Sequence, residues 1–349
     1  MTETVDRIKT LARELLTGGK VDVFIGYQDA SVPLASRPLL IPAKKTAEGD
    51  ADIIDRLTWN SFCSNNLAVF LPKYFENAPF RKSKDPVKKT NVGIVAKACD
   101  LRSIVALSKE RHAPVENVIT IGVPCMGKYD RRKIETAMKA AGFDFSDIDR
   151  YEEQNEEAAD GQVAIHLKSG KSLVFSREKM LQDACAECRF PMPEGTTHLL
   201  EGKARNPGDG GYGRIEDFEK LPLEERWAYF SGEMEKCIRC NACRQACPTC
   251  YCKECFAEMT DLKWIGVSTD LSDAMIFHII RIFHQSGRCI ECDACYRACP
   301  MGVDLRMFTR KMVKDTETLF KYLPVFSREE TPPMSTFREG DTEEFITEP

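Results

Sequence analysis

The sequence predicts an α/β domain followed by an all-helical domain, and three observations carry that expectation. Residues 92–125 read as strand, helix, strand: VGIVAKAC, then LRSIVALSKER, then VITIGVPC. That order makes a βαβ unit with parallel strands. In the C-terminal half the apolar segments recur instead at helical spacing around two runs of cysteine. A Gly- and Pro-containing stretch separates the halves. The expected boundaries are an α/β domain over 1–192, a linker over 193–222, a helical domain over 223–322 and an acidic tail over 323–349.

The elements follow in order. Residues 4–16 form a helix that Gly18 and Gly19 end, and VDVFIGY is the short apolar strand after it. Beyond the βαβ unit, GQVAIHL and KSLVFS form a hairpin. In the second half, residues 223–235 form a helix that leads into the first cysteine run. LSDAMIFHIIRIFHQSG forms another, with Ser272 as its N-cap and Gly287 just past its end. Being apolar on most faces, it is expected to be buried. A last helix covers 305–322.

The chain has 349 residues, is 43% hydrophobic and carries a net charge of −5. It has enough apolar residues for real cores and no basic footprint for nucleic acid. Residues 327–349 hold seven acids against two arginines, which equals the whole excess. That segment reads as a solvated tail, the alternative being an arm laid on a partner subunit. No run reaches the roughly 18 apolar residues of a membrane span. The start, MTETVDRIKT, has no apolar signal core, so the protein is expected in the cytoplasm with its thiols reduced.

Eight of the sixteen cysteines lie in two copies of C-x2-C-x2-C-x3-C-P: Cys237, Cys240, Cys243, Cys247 with Pro248, and Cys289, Cys292, Cys295, Cys299 with Pro300. This is the ligand run of two-cluster ferredoxins, in which the fourth cysteine ligates the other cluster. Cys237, Cys240, Cys243 and Cys299 are then expected to hold one [4Fe–4S] cluster, and Cys289, Cys292, Cys295 and Cys247 the second. Zinc sites use separated C-x2-C arms, and a disulfide framework belongs to short secreted chains. Neither fits runs of four. Between the runs, Cys250, Cys252 and Cys255 are left over, with Cys63 a distant fourth. Buried thiols, alternative ligands and a further metal site all remain open for them. His278, Arg281 and His284 make a polar stripe on the apolar helix. They either satisfy backbone groups or set positive charge beside a cluster, which would raise its potential.

In the α/β domain, Cys99 and Cys125 sit just past the ends of successive strands. If those strands are neighbours, their ends lie about 5 Å apart, at the rim where α/β sheets place ligands. Cys185-Ala-Glu-Cys188 adds a C-x2-C arm. Spacing alone leaves open both a four-thiolate site and inert core thiols beside a stray pair.

Two resemblances sharpen this. GRCIECDACYRACPMGVDL after an apolar helix is similar to the small iron–sulfur subunit of heterodisulfide reductases, over residues about 223–320. KACDLRSIVAL, IGVPC and CAECRFPMP resemble the C-terminal domain of the β subunits of deazaflavin-reducing hydrogenases and formate dehydrogenases, over about 90–190. The second resemblance implies a third [4Fe–4S] cluster on Cys99, Cys125, Cys185 and Cys188, with zinc as the rival there. It also implies FAD, although the Gly-rich segment those β subunits associate with flavin is missing here, and no FAD-binding residue is assignable. Gly208, Gly210 and Gly213 match G-x-G-x-x-G, but they follow ARNP rather than a strand and read as an interdomain loop.

The expected function is electron transfer within an oxidoreductase complex. The chain would link a flavoprotein, hydrogenase or formate dehydrogenase to a heterodisulfide-reductase-like partner and have no catalytic residue of its own. The alternatives are a flavin-dependent oxidoreductase acting on a diffusible cofactor and a zinc-stabilised scaffold.

Overall fold

A computed structural model describes residues 2–47, 52–75, 90–155, 160–208 and 210–336. The first apolar run becomes β1 (Val23–Asp29), buried along all but its last residue. It pairs antiparallel with β2 (Ser36–Pro42) and parallel with β3 (Val92–Ala96). β3 in turn pairs parallel with β4 (Val118–Gly122), through the helix Ala98–Lys109. Every residue of β3 is buried, as suits a central parallel strand covered on both faces. The N-terminal helix Thr2–Thr17 buries Ile8, Leu11, Ala12, Leu15 and Leu16, a 3.6-residue stripe, in the same core.

A second sheet is antiparallel, in the order β5 (Ile148–Gln154), β6 (Gln162–Leu167), β7 (Ser172–Ser176). The expected hairpin is its β6–β7 half, turned at Gly170 with φ +82°. β5 is charged and mostly exposed, so it carries little apolar alternation.

The stretch 193–222 is more than a linker. It supplies β8 (His198–Leu199), which lies parallel to β4 and completes the sheet order β2-β1-β3-β4-β8. It also supplies the helix Gly213–Glu219, so the glycine-rich segment does open a helix, although the strand before it, β8, ends at Leu199, well short of Gly208. Just ahead of the acidic segment 327–349 the chain is held down: Pro324 accepts a hydrogen bond from Arg102 Nε at 2.7 Å and Phe326 packs edge-on against Phe190. Residues 337–349 lie outside the described chain.

The helices Leu223–Glu235, Leu271–His284 and Arg306–Phe320 enclose a core of Phe230, Met234, Ile282, Val303 and Leu305. The middle helix departs from expectation in two ways. It starts at Leu271 with Asp270 as N-cap, which puts Ser272 inside its first turn. It is also not buried all round: Ala274, Phe277, His278, Arg281 and Ile282 face inward, while Ile276, Ile279 and Phe283 are exposed. The inward face lies against the cysteine runs, so its polar side chains are turned toward the thiols. Among the described residues, no helix is long and apolar enough to cross a membrane.

Charged pairs clamp the two halves together. Arg306 binds Asp183 at 2.6 Å, Arg310 meets Glu187, and Arg189 reaches Glu317 at 3.0 Å. Burial works against the charge on Asp183, but Lys133 and Arg306 hold its carboxyl down at about 2.

Candidate iron–sulfur sites

Both cysteine runs fold into the same loop. Arg239 and Asn241 in the first have φ of +53° and +58°, and Glu291 and Asp293 at the matching places in the second have +58° and +54°. Non-glycine residues enter the left-handed region at a cost, and such strain gathers at functional sites. Alternating backbone signs also turn successive N–H groups inward, a concavity suited to an anionic group. Arg239 N–H accordingly donates to Cys237 Sγ at 3.4 Å.

The fourth cysteines cross over. Cys299 joins Cys237, Cys240 and Cys243 around one cavity, which Phe277, His278 and Val303 also line. Val303 N–H donates to Cys299 Sγ at 3.3 Å, and His278 Nε2 lies 3.2 Å from Cys237 Sγ. Burial, then Arg281 and Arg239, push His278 down to about 3, so it stands there neutral. Cys247 lies with the second run, where its charge and that of Cys295 both act on Cys289 and Cys292. Cys295 borders the first cavity as well, so the two sites adjoin.

In the α/β domain, Cys99 falls in the first turn of the helix after β3, between two residues of a buried ion pair. Lys97 Nζ lies 2.7 Å from Asp100, whose carboxylate also accepts from the backbone N–H groups of Lys97 at 2.9 Å and Leu67 at 2.7 Å. Burial would discharge Lys97, but Asp100, Tyr27 and Cys99 together outweigh it and hold the ammonium above its usual range. Cys125 follows β4; its N–H donates to Pro191 O and its carbonyl accepts from Arg205 N–H, both at 3.1 Å. The arm of Cys185 and Cys188 is held from the other side, by Gly208 N–H on Cys188 O at 2.7 Å. Adding a Cβ at Gly208 would bring it within 2.7 Å of the Glu187 backbone, so this glycine serves close packing.

Cys99, Cys125, Cys185 and Cys188 thus line one cavity, and Cys292 of the second run lines it too. Burial raises the thiol of Cys99 and pushes those of Cys185 and Cys292 up to about 12. Thiolates in such surroundings need cations, and bound iron would supply them, since a coordinating thiol is deprotonated outright. Arg102 also lines the cavity, with its Nη2 buried and without a partner among the described residues. The donor set and its surroundings therefore fit an anionic cluster. Among the described residues no three His, Cys, Asp or Glu side chains close on a single metal ion. The thiols stand instead around the walls of the cavities.

The remaining cysteines divide. Cys63 is wholly buried in the α/β core and bonded to Asn60, so it does not join the extra thiols of the helical domain. Cys255 packs beside Ala257 and Phe277, and Cys252 is exposed. Cys250 adjoins Cys247, and its hydrogen bond draws that thiol below its usual range. Sequence reasoning missed Lys97, Asp100 and Arg102. Their place beside Cys99 was visible, but nothing in the sequence marked them as buried.

Residues 89–196 match the family model for the C terminus of the coenzyme F420 hydrogenase/dehydrogenase beta subunit. The F420-dependent formate dehydrogenase subunit beta of Methanocaldococcus jannaschii is 27% identical over 287 residues, covering 67% of this chain and 73% of that protein. The F420-dependent formate dehydrogenase 1 subunit beta of Methanococcus maripaludis is 24% identical over 307 residues, covering 72% and 76%. Among solved structures, a chain of the F420-reducing [NiFe] hydrogenase complex from Methanosarcina barkeri superposes with a TM-score of 0.36 at 14% identity, over 53% of this chain and 59% of that one.

Proposed function

We propose, from the match of residues 89–196 to the coenzyme F420 hydrogenase/dehydrogenase beta-subunit family model, that this chain is an electron-transfer subunit that passes single electrons through three four-iron clusters. One is held by Cys99, Cys125, Cys185 and Cys188. The second is held by Cys289, Cys292, Cys295 and Cys247, and the third by Cys237, Cys240, Cys243 and Cys299. Each cluster, when bound, supplies one-electron chemistry.

The observation that carries this reading is the sharing of lining residues. Cys292 borders the N-terminal cavity and Cys295 borders that of the first run. The three sites therefore stand in a row, with the second run in the middle. Arg297 fixes the spacing: it donates to Cys292 O at 2.6 Å, Gln182 Oε1 at 2.9 Å and Ser64 O at 2.8 Å, tying the second run to the α/β domain. Twelve cysteines fill all the ligand positions, which leaves no iron for substrate and favours conduction over catalysis. The source and sink would be other subunits: a flavoprotein, hydrogenase or formate dehydrogenase on one side, a heterodisulfide-reductase-like subunit on the other.

Both curated relatives are beta subunits of F420-dependent formate dehydrogenases, which favours a second reading. In it the α/β domain also takes a flavin and exchanges electrons with a deazaflavin. Anaerobic purification with partners intact, followed by iron, sulfide and flavin analysis, separates the two. About twelve irons and twelve labile sulfides without flavin bands support conduction. About eight of each remove the N-terminal cluster, and zinc in place of the missing irons makes that site structural. Flavin bands would promote the second reading.

A further inference from the structure

We propose that Arg281 is a positioning residue shared by the two ferredoxin-type sites, stabilising the reduced form of both and so raising both reduction potentials. The proposal rests on the reading that both cysteine runs hold clusters.

Arg281 lies on the inward face of the helix Leu271–His284 and is only 3% exposed. Its Nη2 donates to Cys243 O, in the first run, at 3.1 Å. Its Nε and Nη1 are buried and have no hydrogen-bond partner among the described residues. The groups whose charges act on it most strongly are Cys295, Cys243, Cys247 and Cys250. Cys243 belongs to the first site, Cys295 and Cys247 to the second, and Cys250 adjoins Cys247.

A buried guanidinium is costly unless anions face it. The neighbouring anions here are thiolates of two sites rather than one carboxylate. Its planar fork lets one side chain present donors in several directions, and it also reaches the Cys295 thiol of the second run. The guanidinium stays charged at any ordinary pH, so Arg281 sets a permanent positive charge on this inward face. Reducing a cluster adds negative charge beside it. A fixed cation and N–H donors directed at sulfur both favour that state, and hydrogen bonding to sulfur and local charge are among the factors that set cluster potentials. Because Arg281 faces both sites, it acts on both, which keeps their potentials close and the step between them small. The N-terminal site lies beyond Cys292 and is not among its neighbours.

The test is a redox titration of the anaerobic holoprotein followed by paramagnetic resonance, with iron and sulfide analysis of each variant. In Arg281→Gln, the midpoints of both ferredoxin-type signals should move to more negative potential while the N-terminal cluster stays put. Arg281→Lys, which keeps the charge but loses the fork, should shift less. Unchanged midpoints in Arg281→Gln at full iron content, or an equal shift of all three clusters, overturn the proposal. If Arg281→Gln loses iron, Arg281→Lys decides: full iron with both ferredoxin-type midpoints more negative than wild type supports it, while full iron with unchanged midpoints, or an equal loss of iron, overturns it. Wild-type protein without ferredoxin-type signals would instead sink the underlying function.

Discussion

Cys292 of the second cysteine run lines the same buried cavity as Cys99, which opens the helix after β3. Residues 193 positions apart thus meet where the α/β and helical domains join. The charge of Cys292 acts on Cys99, after burial and the nearer groups Asp100 and Lys97. The consequence is that the N-terminal site and the middle site are neighbours, not ends of a flexible tether.

Cys99→Ala should therefore remove about four irons and leave the other eight in place. Because Cys292 borders the emptied site, the paramagnetic signal of the middle cluster should change shape without losing intensity. Cys188→Ala should do the same. Iron content equal to wild type in Cys99→Ala would sink the assignment of that site.

Crossed ligation gives a second outcome. Cys299 belongs to the second run in sequence, yet it lines the cavity of Cys237, Cys240 and Cys243. Cys299→Ala should damage the cluster of the first run. Resonance spectra showing selective loss of the second-run cluster would reverse the assignment.

How much of this was legible depends on where the information resides. The βαβ unit was legible because β3 and β4 are short, apolar and buried, and the two cysteine runs because their spacing is stereochemically constrained. β5 was not, since its exposed Asp149, Arg150, Glu152 and Gln154 remove the apolar alternation. β8 was hidden because two residues, His198 and Leu199, carry no period. The middle helix misled for another reason. Its composition is apolar, but cysteine loops lie against it, so Arg281 and His278 turn inward and Ile276, Ile279 and Phe283 outward. The meeting of Cys99 with Cys292 is a tertiary fact that no local pattern encodes.

The pair beside Cys99 predicts a stability effect. Lys97 and Asp100 are both almost wholly buried, and Asp100 also caps two backbone N–H groups. Asp100→Ala strands the ammonium against Tyr27 and Asn65 and should cost about 3–5 kcal/mol, the usual loss when one partner of a buried pair is removed. Asp100→Asn keeps the shape and should cost less. Urea unfolding under anaerobic conditions measures both. A change below about 1 kcal/mol, the scale of an exposed pair, would mean that the network does not hold the cysteine turn.

Dependence on partners is the last expected outcome. Gly208 and Gly211 of GDGGYG serve packing against the cysteine arm: Gly208 donates to Cys188, and a Cβ on Gly211 would come within 2.9 Å of the Glu187 side chain. The short helix Gly213–Glu219 follows, but the preceding strand β8 ends at Leu199 and does not run into the glycines, so the tight strand-to-helix turn that presents glycines to a pyrophosphate is missing. The isolated chain should not oxidise NADH with an artificial acceptor. A row of fully ligated clusters needs a donor and an acceptor at its ends, so leaving this chain out of a reconstituted complex should stop electron flow between the other subunits. Steady NADH oxidation by the chain alone, or turnover of a physiological donor and acceptor without partners, would overturn conduction in favour of a flavoenzyme.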